Sequence, residues 1–182
     1  MSEINSLLHH RRSIRLPGYD YSQAGEYFIT ICSYGHECIF GEVSAGEMQI
    51  NPVGEIVREE WLRTPQIRTE IELGEFVIMP NHFHAIVHIL DKDAGERVCG
   101  TDDRSNIGLQ PKTIGALVAG FKSSVTIQIN ALHKTPYAPI WQRNYYEHII
   151  ESEKEYLAIE AYIENNPANW VKDQLWIDLP HG

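Results

Sequence analysis

The spacing His82-Phe83-His84, within Met79-Pro80-Asn81-His82-Phe83-His84-Ala85-Ile86-Val87-His88-Ile89-Leu90, puts two imidazoles on one face of a strand read at period two. Side by side, neutral imidazoles could share one metal ion if a third ligand arrived from elsewhere in the chain. An isolated His-x-His is more often a pair of histidines satisfied by hydrogen bonds, so other residues have to decide. Further on, Tyr162 and Asn166 stand four apart in a segment of helical spacing and so share a helix face. If that face met the histidine strand, it would bring together two imidazoles, one amide oxygen and a phenol. A metal so held polarises a phosphate oxygen while a positioned phenol attacks phosphorus. Taken alone, Tyr162 reads more simply as a half-buried core tyrosine.

The elements that must position these residues are legible in order. Glu26-Tyr27-Phe28-Ile29-Thr30-Ile31-Cys32-Ser33 is β-branched and aromatic and reads as a buried strand, followed by a short strand or hairpin around Cys38 to Val43. Asn51-Pro52 starts a helix with Val53, Ile56, Val57 and Trp61 on one face, which should end near Thr64-Pro65. Ile71 to Met79 is a strand that turns at Pro80-Asn81 into the histidine strand, with Gly74 marking a bulge or a close approach. Ile114, Leu117, Val118, Phe121, Val125, Ile129 and Leu132 describe a long amphipathic helix. Ile140 to Ile150 reads as a further strand, and Ser152-Glu153-Lys154-Glu155 as the capping box of the last helix, closed by Pro167. This order predicts an α+β domain: a ferredoxin-like antiparallel sheet with helices on one face, the histidine strand central, and a C-terminal helix beside it.

The 182 residues suit one domain, and 43% hydrophobic with 10% aromatic content excludes a disordered chain. Residues 1–22 form a basic arm, 23–167 the domain with a mobile loop at about 91–111, and 168–182 a tail whose Trp170 and Trp176 should pack back on the body. No run approaches the roughly 18 apolar residues of a membrane span, and the polar start is no signal peptide, so the expected location is the cytoplasm. Cys32, Cys38 and Cys99 form no Cys-x-x-Cys pair and indicate neither a disulfide framework nor a thiolate zinc site. A net charge of −10 disfavours non-specific binding of nucleic acid, but Arg11, Arg12 and Arg15 concentrate positive charge in the arm. Any nucleic acid would be gripped locally.

Taken together, His82-Phe83-His84 resembles the His-hydrophobe-His (HUH) motif of single-tyrosine insertion-sequence transposases, and Tyr162-Ile163-Glu164-Asn165-Asn166 resembles their catalytic-helix motif. The stretches Arg11-Arg12-Ser13-Ile14-Arg15-Leu16-Pro17-Gly18-Tyr19-Asp20-Tyr21 and Trp141-Gln142-Arg143-Asn144-Tyr145-Tyr146-Glu147-His148 resemble the REP-associated tyrosine transposase branch of that family. The resemblance spans residues 11 to 167, with the motifs in the expected order. It implies a nuclease that cuts and rejoins single-stranded DNA near hairpins, with Tyr162 forming a 5′-phosphotyrosine and His82, His84 and Asn166 holding Mg²⁺ or Mn²⁺. Imidazole ligands suit manganese better than magnesium. Arg11, Arg12, Arg15, Tyr19, Lys122 and Arg143 are the candidate DNA contacts, through phosphate pairing and base stacking. Tyr145 and Tyr146 are rival nucleophiles; Tyr162 is preferred because its helix also supplies Asn166. His148 stays outside the metal set, and His88 reads as core or as a neighbour of the ligands. Two other readings remain at this point: a non-catalytic DNA-hairpin-binding module or repressor on the same fold, and a hydrolase using metal-activated water. Both a monomer and a homodimer are compatible with the sequence.

Overall fold

A strand whose two faces are both apolar must be covered on both sides, and this requirement organises the molecule. The computed structural model describes residues 24–90, 113–173 and 175. The basic arm, the loop at about 91–111 and Trp176 lie outside them.

Four antiparallel strands form the sheet: β1 (Gly25–Cys32), β4 (Ile71–Met79), β5 (His82–Ile89) and β6 (Tyr146–Ile150), in the order β4-β5-β1-β6. Between β1 and β4 lie a small hairpin, β2 (Gly41–Ser44) with β3 (Glu47–Ile50), and helix α1 (Pro52–Ile67); α2 (Ile114–His133) joins β5 to β6, and α3 (Glu153–Glu164) follows. This is the expected ferredoxin-like connection. The histidine strand is central and pairs with β1 in a register that sets His84 opposite Thr30 and His82 opposite Cys32.

The alternation of β5 splits the interior in two. Phe83, Ala85 and Val87 face one way, where Tyr27, Ile29 and Ile31 of β1 join the apolar stripes of α1 and α2 in the main core. There Trp61 is fully buried, 4.8 Å from the ring of Phe83 and 5.2 Å from that of Phe121. On the opposite face Phe28, Ile86 and Ile150 pack with Ile159 and Ile163 of α3. α3 therefore covers the face that carries His82 and His84.

Local chemistry explains the boundaries. Asn51 caps α1 by accepting hydrogen bonds from the Val53 and Gly54 N–H groups, with Pro52 in the first turn. That helix runs two residues beyond the expected end at Pro65, because its last turn is closed by the Arg68 N–H donating to Thr64 O at 2.8 Å. The two-residue turn of the small hairpin has positive φ at both Ala45 and Gly46, which matches the twist of the strands it joins. The register of β4 against β5 shifts between Leu73 and Phe76, and a side chain on Gly74 would come within 2.9 Å of Ile86 and 3.0 Å of the His88 ring. Gly74 thus marks both the bulge and the close approach.

The strand expected from Ile140 is shorter. Trp141 makes an isolated bridge to Ser33, and regular pairing with β1 begins only at Tyr146. The Lys122 ammonium donates to Gln142 O at 2.8 Å and Asn144 O at 2.9 Å, so these carbonyls are satisfied by a side chain rather than by a ladder.

Trp61→Ala should destabilise the protein by about 3–5 kcal/mol, through lost burial and a cavity where Phe83 and Phe121 now make contact. Urea unfolding is expected to show a lower midpoint at unchanged slope; a midpoint within error of the parent would contradict this account of the core.

Candidate functional site

His82 and His84 are neighbours on β5 with ring centroids 4.5 Å apart, and their exposures are 0% and 2%. Each ring is oriented by a polar group beside it. His82 Nδ1 lies 2.8 Å from Asn81 Oδ1, an acceptor, so the proton sits on Nδ1 and the Nε2 lone pair is left bare. Asn81 in turn donates from Nδ2 to His36 O and to Leu175 O, which ties the histidine strand to the C-terminal segment. His84 Nδ1 shares a 2.8 Å hydrogen bond with Thr30 Oγ1, and the ring stacks on Phe28 at 5.3 Å.

α3 brings the phenol. Ser152 caps it by accepting from the Glu155 N–H, while the Glu155 carboxylate accepts from the Glu151 N–H, one residue before the cap position of an ordinary capping box. In the last turn of the helix, the Tyr162 hydroxyl stands 3.3 Å from His84 Nε2. Asn166 follows the helix end but keeps helical backbone angles, φ −60° and ψ −45°. Its side chain is 3% exposed, and its Oδ1 is buried with no hydrogen-bond partner, as is His82 Nε2.

A short 3₁₀ segment, Pro167–Lys172, then lays Trp170 5.9 Å from the His82 ring and delivers Asp173. Among the described residues, ligand atoms of His82, His84 and Asp173 all lie within 4.8 Å of one another. The site is thus a convergence of lone pairs: the bare Nε2 of His82, the Nε2 of His84 beside the Tyr162 hydroxyl, an unpartnered amide oxygen and a carboxylate. Such a set fits a divalent cation, since a cation answers lone pairs that no donor meets.

Burial dominates the electrostatics. It holds His82 neutral, with its pKa lowered to about 3, assisted by the nearby His36 ring and opposed by the Asn166 amide. His84 is pushed down by burial and then by His82, with Asp173 acting the other way. Burial, and then the charge of Asp173, raise the Tyr162 hydroxyl well above the usual phenol range, while Asn166 works against them.

Over 182 residues the chain is 42% identical to an uncharacterised protein of Haemophilus influenzae, a match covering 97% of this chain and 99% of the other. The chain belongs to the family of that protein. No protein-family model matches it. Among solved structures it is similar to a REP-associated tyrosine transposase bound to a REP hairpin, with a TM-score of 0.57 at 19% identity over 87% of this chain and 73% of that one. At that identity the likeness is one of fold. A putative transposase from Deinococcus radiodurans is also similar, with a TM-score of 0.46 at 16% identity over 81% of this chain and 93% of the other.

The structure brings His82, His84, Tyr162 and Asn166 together and leaves the other candidates elsewhere. Arg11, Arg12, Arg15 and Tyr19 lie outside the described residues. Arg143 is exposed on the turn before β6, and Lys122 spans that turn from α2. The Tyr145 hydroxyl donates to Glu147 at 2.6 Å. Tyr146 packs at the edge of Phe28 and has its pKa raised by burial and then by Glu155. His148 pairs with Glu155 at 2.7 Å and His88 stands 3.3 Å from Glu26, so both imidazoles have partners outside the cluster. Sequence reasoning missed Thr30, Asn81 and Asp173. A hydroxyl inside the apolar run of β1 was the signal for Thr30. Asn81 was visible only as a turn residue, and Asp173 carried no signal in a tail without periodicity.

The histidines also predict a pH dependence. In the unfolded chain His82 titrates near 6.5, and in the fold near 3, so the unfolded state binds more protons across that window. Stability should therefore be undiminished above about pH 6.5 and fall as pH drops towards 3, with each buried neutral histidine contributing about 1.4 kcal/mol per pH unit. Urea midpoints in EDTA should show this slope, and His82→Asn should flatten it by about one proton's worth; an equal slope in the variant would contradict the assignment.

Proposed function

We propose that the protein is a metal-dependent single-stranded DNA transesterase of the transposase type, which cleaves and rejoins DNA near hairpins through a 5′-phosphotyrosine on Tyr162. The observation that carries this reading is the phenol of Tyr162, 3.3 Å from His84 Nε2, beside the buried, unpartnered lone pairs of His82 Nε2 and Asn166 Oδ1. A core tyrosine would need none of these neighbours. The fold likeness to a REP-associated tyrosine transposase bound to a REP hairpin supports a DNA hairpin as partner.

His82, His84 and Asn166 would hold Mn²⁺ or Mg²⁺, and imidazole ligation favours Mn²⁺. When bound, the ion supplies positive charge that polarises a non-bridging phosphate oxygen and favours the phenolate. The protein's own groups do the rest. Asn81 Oδ1 fixes the His82 tautomer, with its Nε2 lone pair turned to the site, and Thr30 orients the His84 ring through Nδ1. Trp170 covers the His82 ring and excludes water from that side. Packing against Phe28, whose ring centre is 6.2 Å away, holds the Tyr162 ring at its edge. In the reaction the Tyr162 oxygen bonds to phosphorus as the phosphorus–O3′ bond breaks. The phenol proton is released, O3′ takes up a proton to become a 3′ hydroxyl, and the reverse attack rejoins the strand.

The DNA would be gripped by the basic arm, through Arg11, Arg12, Arg15 and the stacking ring of Tyr19, and by Arg143. Lys122 would serve this last contact by fixing the carbonyls on either side of Arg143. Burial lowers its pKa to about 8, so the brace weakens in alkaline solution.

Incubation of the protein with labelled single-stranded hairpin oligonucleotides and Mn²⁺, resolved on denaturing gels, should give a slow-migrating protein–DNA adduct. The adduct should vanish in Tyr162→Phe, and cleavage should fall by at least ~100-fold in His82→Ala and in His84→Ala. An adduct that survives in Tyr162→Phe would move the nucleophile to Tyr145 or Tyr146. Hairpin binding with neither adduct nor cleavage would overturn the enzymatic reading.

A further inference from the structure

Asp173 stands apart from the other residues of the cluster in charge and in origin. His82, His84 and Asn166 are neutral donors, whereas Asp173 is a carboxylate with 8% side-chain exposure, delivered by the segment after α3. Its two oxygens face different ways. Oδ1 accepts the Leu175 N–H at 2.8 Å, which fixes the carboxylate plane, and Oδ2 lies 3.9 Å from His82 Nε2. That separation exceeds a hydrogen bond. The carboxylate and the ring nitrogens of His82 and His84 all lie within 4.8 Å of one another, and His82 Nε2 is buried with no hydrogen-bond partner.

We propose that Asp173 is a further ligand of the same cation, and the one that brings negative charge to it; the proposal rests on the metal-dependent reading above. Three neutral donors leave the full charge of a divalent ion uncompensated in a dry site, which is costly. A carboxylate offsets part of that charge and adds the hard oxygen that Mg²⁺ and Mn²⁺ prefer, while zinc would be content with the imidazoles.

The rest of the tail geometry serves this ligand. The Asp173 N–H donates to Trp170 O at 2.9 Å within the tail, and Asn81 Nδ2 reaches Leu175 O, so the segment after the carboxylate is bonded to the turn residue that precedes His82.

Isothermal titration calorimetry of the intact protein, free of DNA, tests the assignment with MnCl₂ and with ZnCl₂. Asp173→Asn keeps an acceptor for the Leu175 N–H and removes only the charge. It should lose at least ~10-fold in Mn²⁺ affinity, with a smaller loss for Zn²⁺. Mn²⁺ affinity equal to that of the parent would overturn the proposal while leaving the metal-dependent reading intact. Equal losses for both ions would also overturn it, by reducing Asp173 to a latch for the tail. A parent protein that binds no Mn²⁺ would overturn the proposal and the metal-dependent reading together.

Discussion

Two imidazoles taken out of water on a central strand must be kept neutral and must have their nitrogens accounted for. One nitrogen of each ring is answered by a neighbour: Asn81 for His82 and Thr30 for His84. The other nitrogen of each turns towards Asn166, Asp173 and Tyr162, where acceptors outnumber donors. A buried excess of lone pairs is unfavourable by itself. The fold tolerates it because both faces of the sheet are packed around it, and a cation would relieve it.

The two-faced β5 explains how the arrangement is held. Its odd residues, Phe83, Ala85 and Val87, are locked into the core under α1 and α2, so the backbone beneath the histidines has no freedom to shift. Its even residues meet α3, which is pinned by Ile159 and Ile163 against Phe28, Ile86 and Ile150. Tyr162 sits on that packed face, so its hydroxyl is set by side-chain packing rather than by a loop. The bulge at Gly74 lets β4 follow the strand closely beside Ile86 and His88.

Most of this frame could be read in the sequence because it depends on periodicity. Alternation at 82–89 gave the two faces of β5, Ile71 and Met79 bounded β4, and helical spacing gave α2. Where the reading failed, a side chain had intervened in the backbone's affairs or the contact joined distant segments. Lys122 takes the carbonyls that residues 142 and 144 would have offered to a strand, and no local pattern announces that. Pro65 looked like a helix stop, yet the turn is closed three residues later by Arg68. The spacing of Tyr162 and Asn166 was legible, whereas Asp173 reaches the histidines only because the tail doubles back. Its sequence separation from them leaves nothing for a window of neighbours to detect.

The central claim is that the lone pairs gathered around His82 and His84 belong to a divalent cation. Crystals grown in EDTA and then soaked in Mn²⁺ would test it most directly, by anomalous scattering at the manganese edge. The account predicts one strong anomalous peak within coordination distance of His82 Nε2 and His84 Nε2, absent from EDTA-treated crystals. A saturating soak that leaves the cluster without a peak, with both imidazoles still in place, would contradict it.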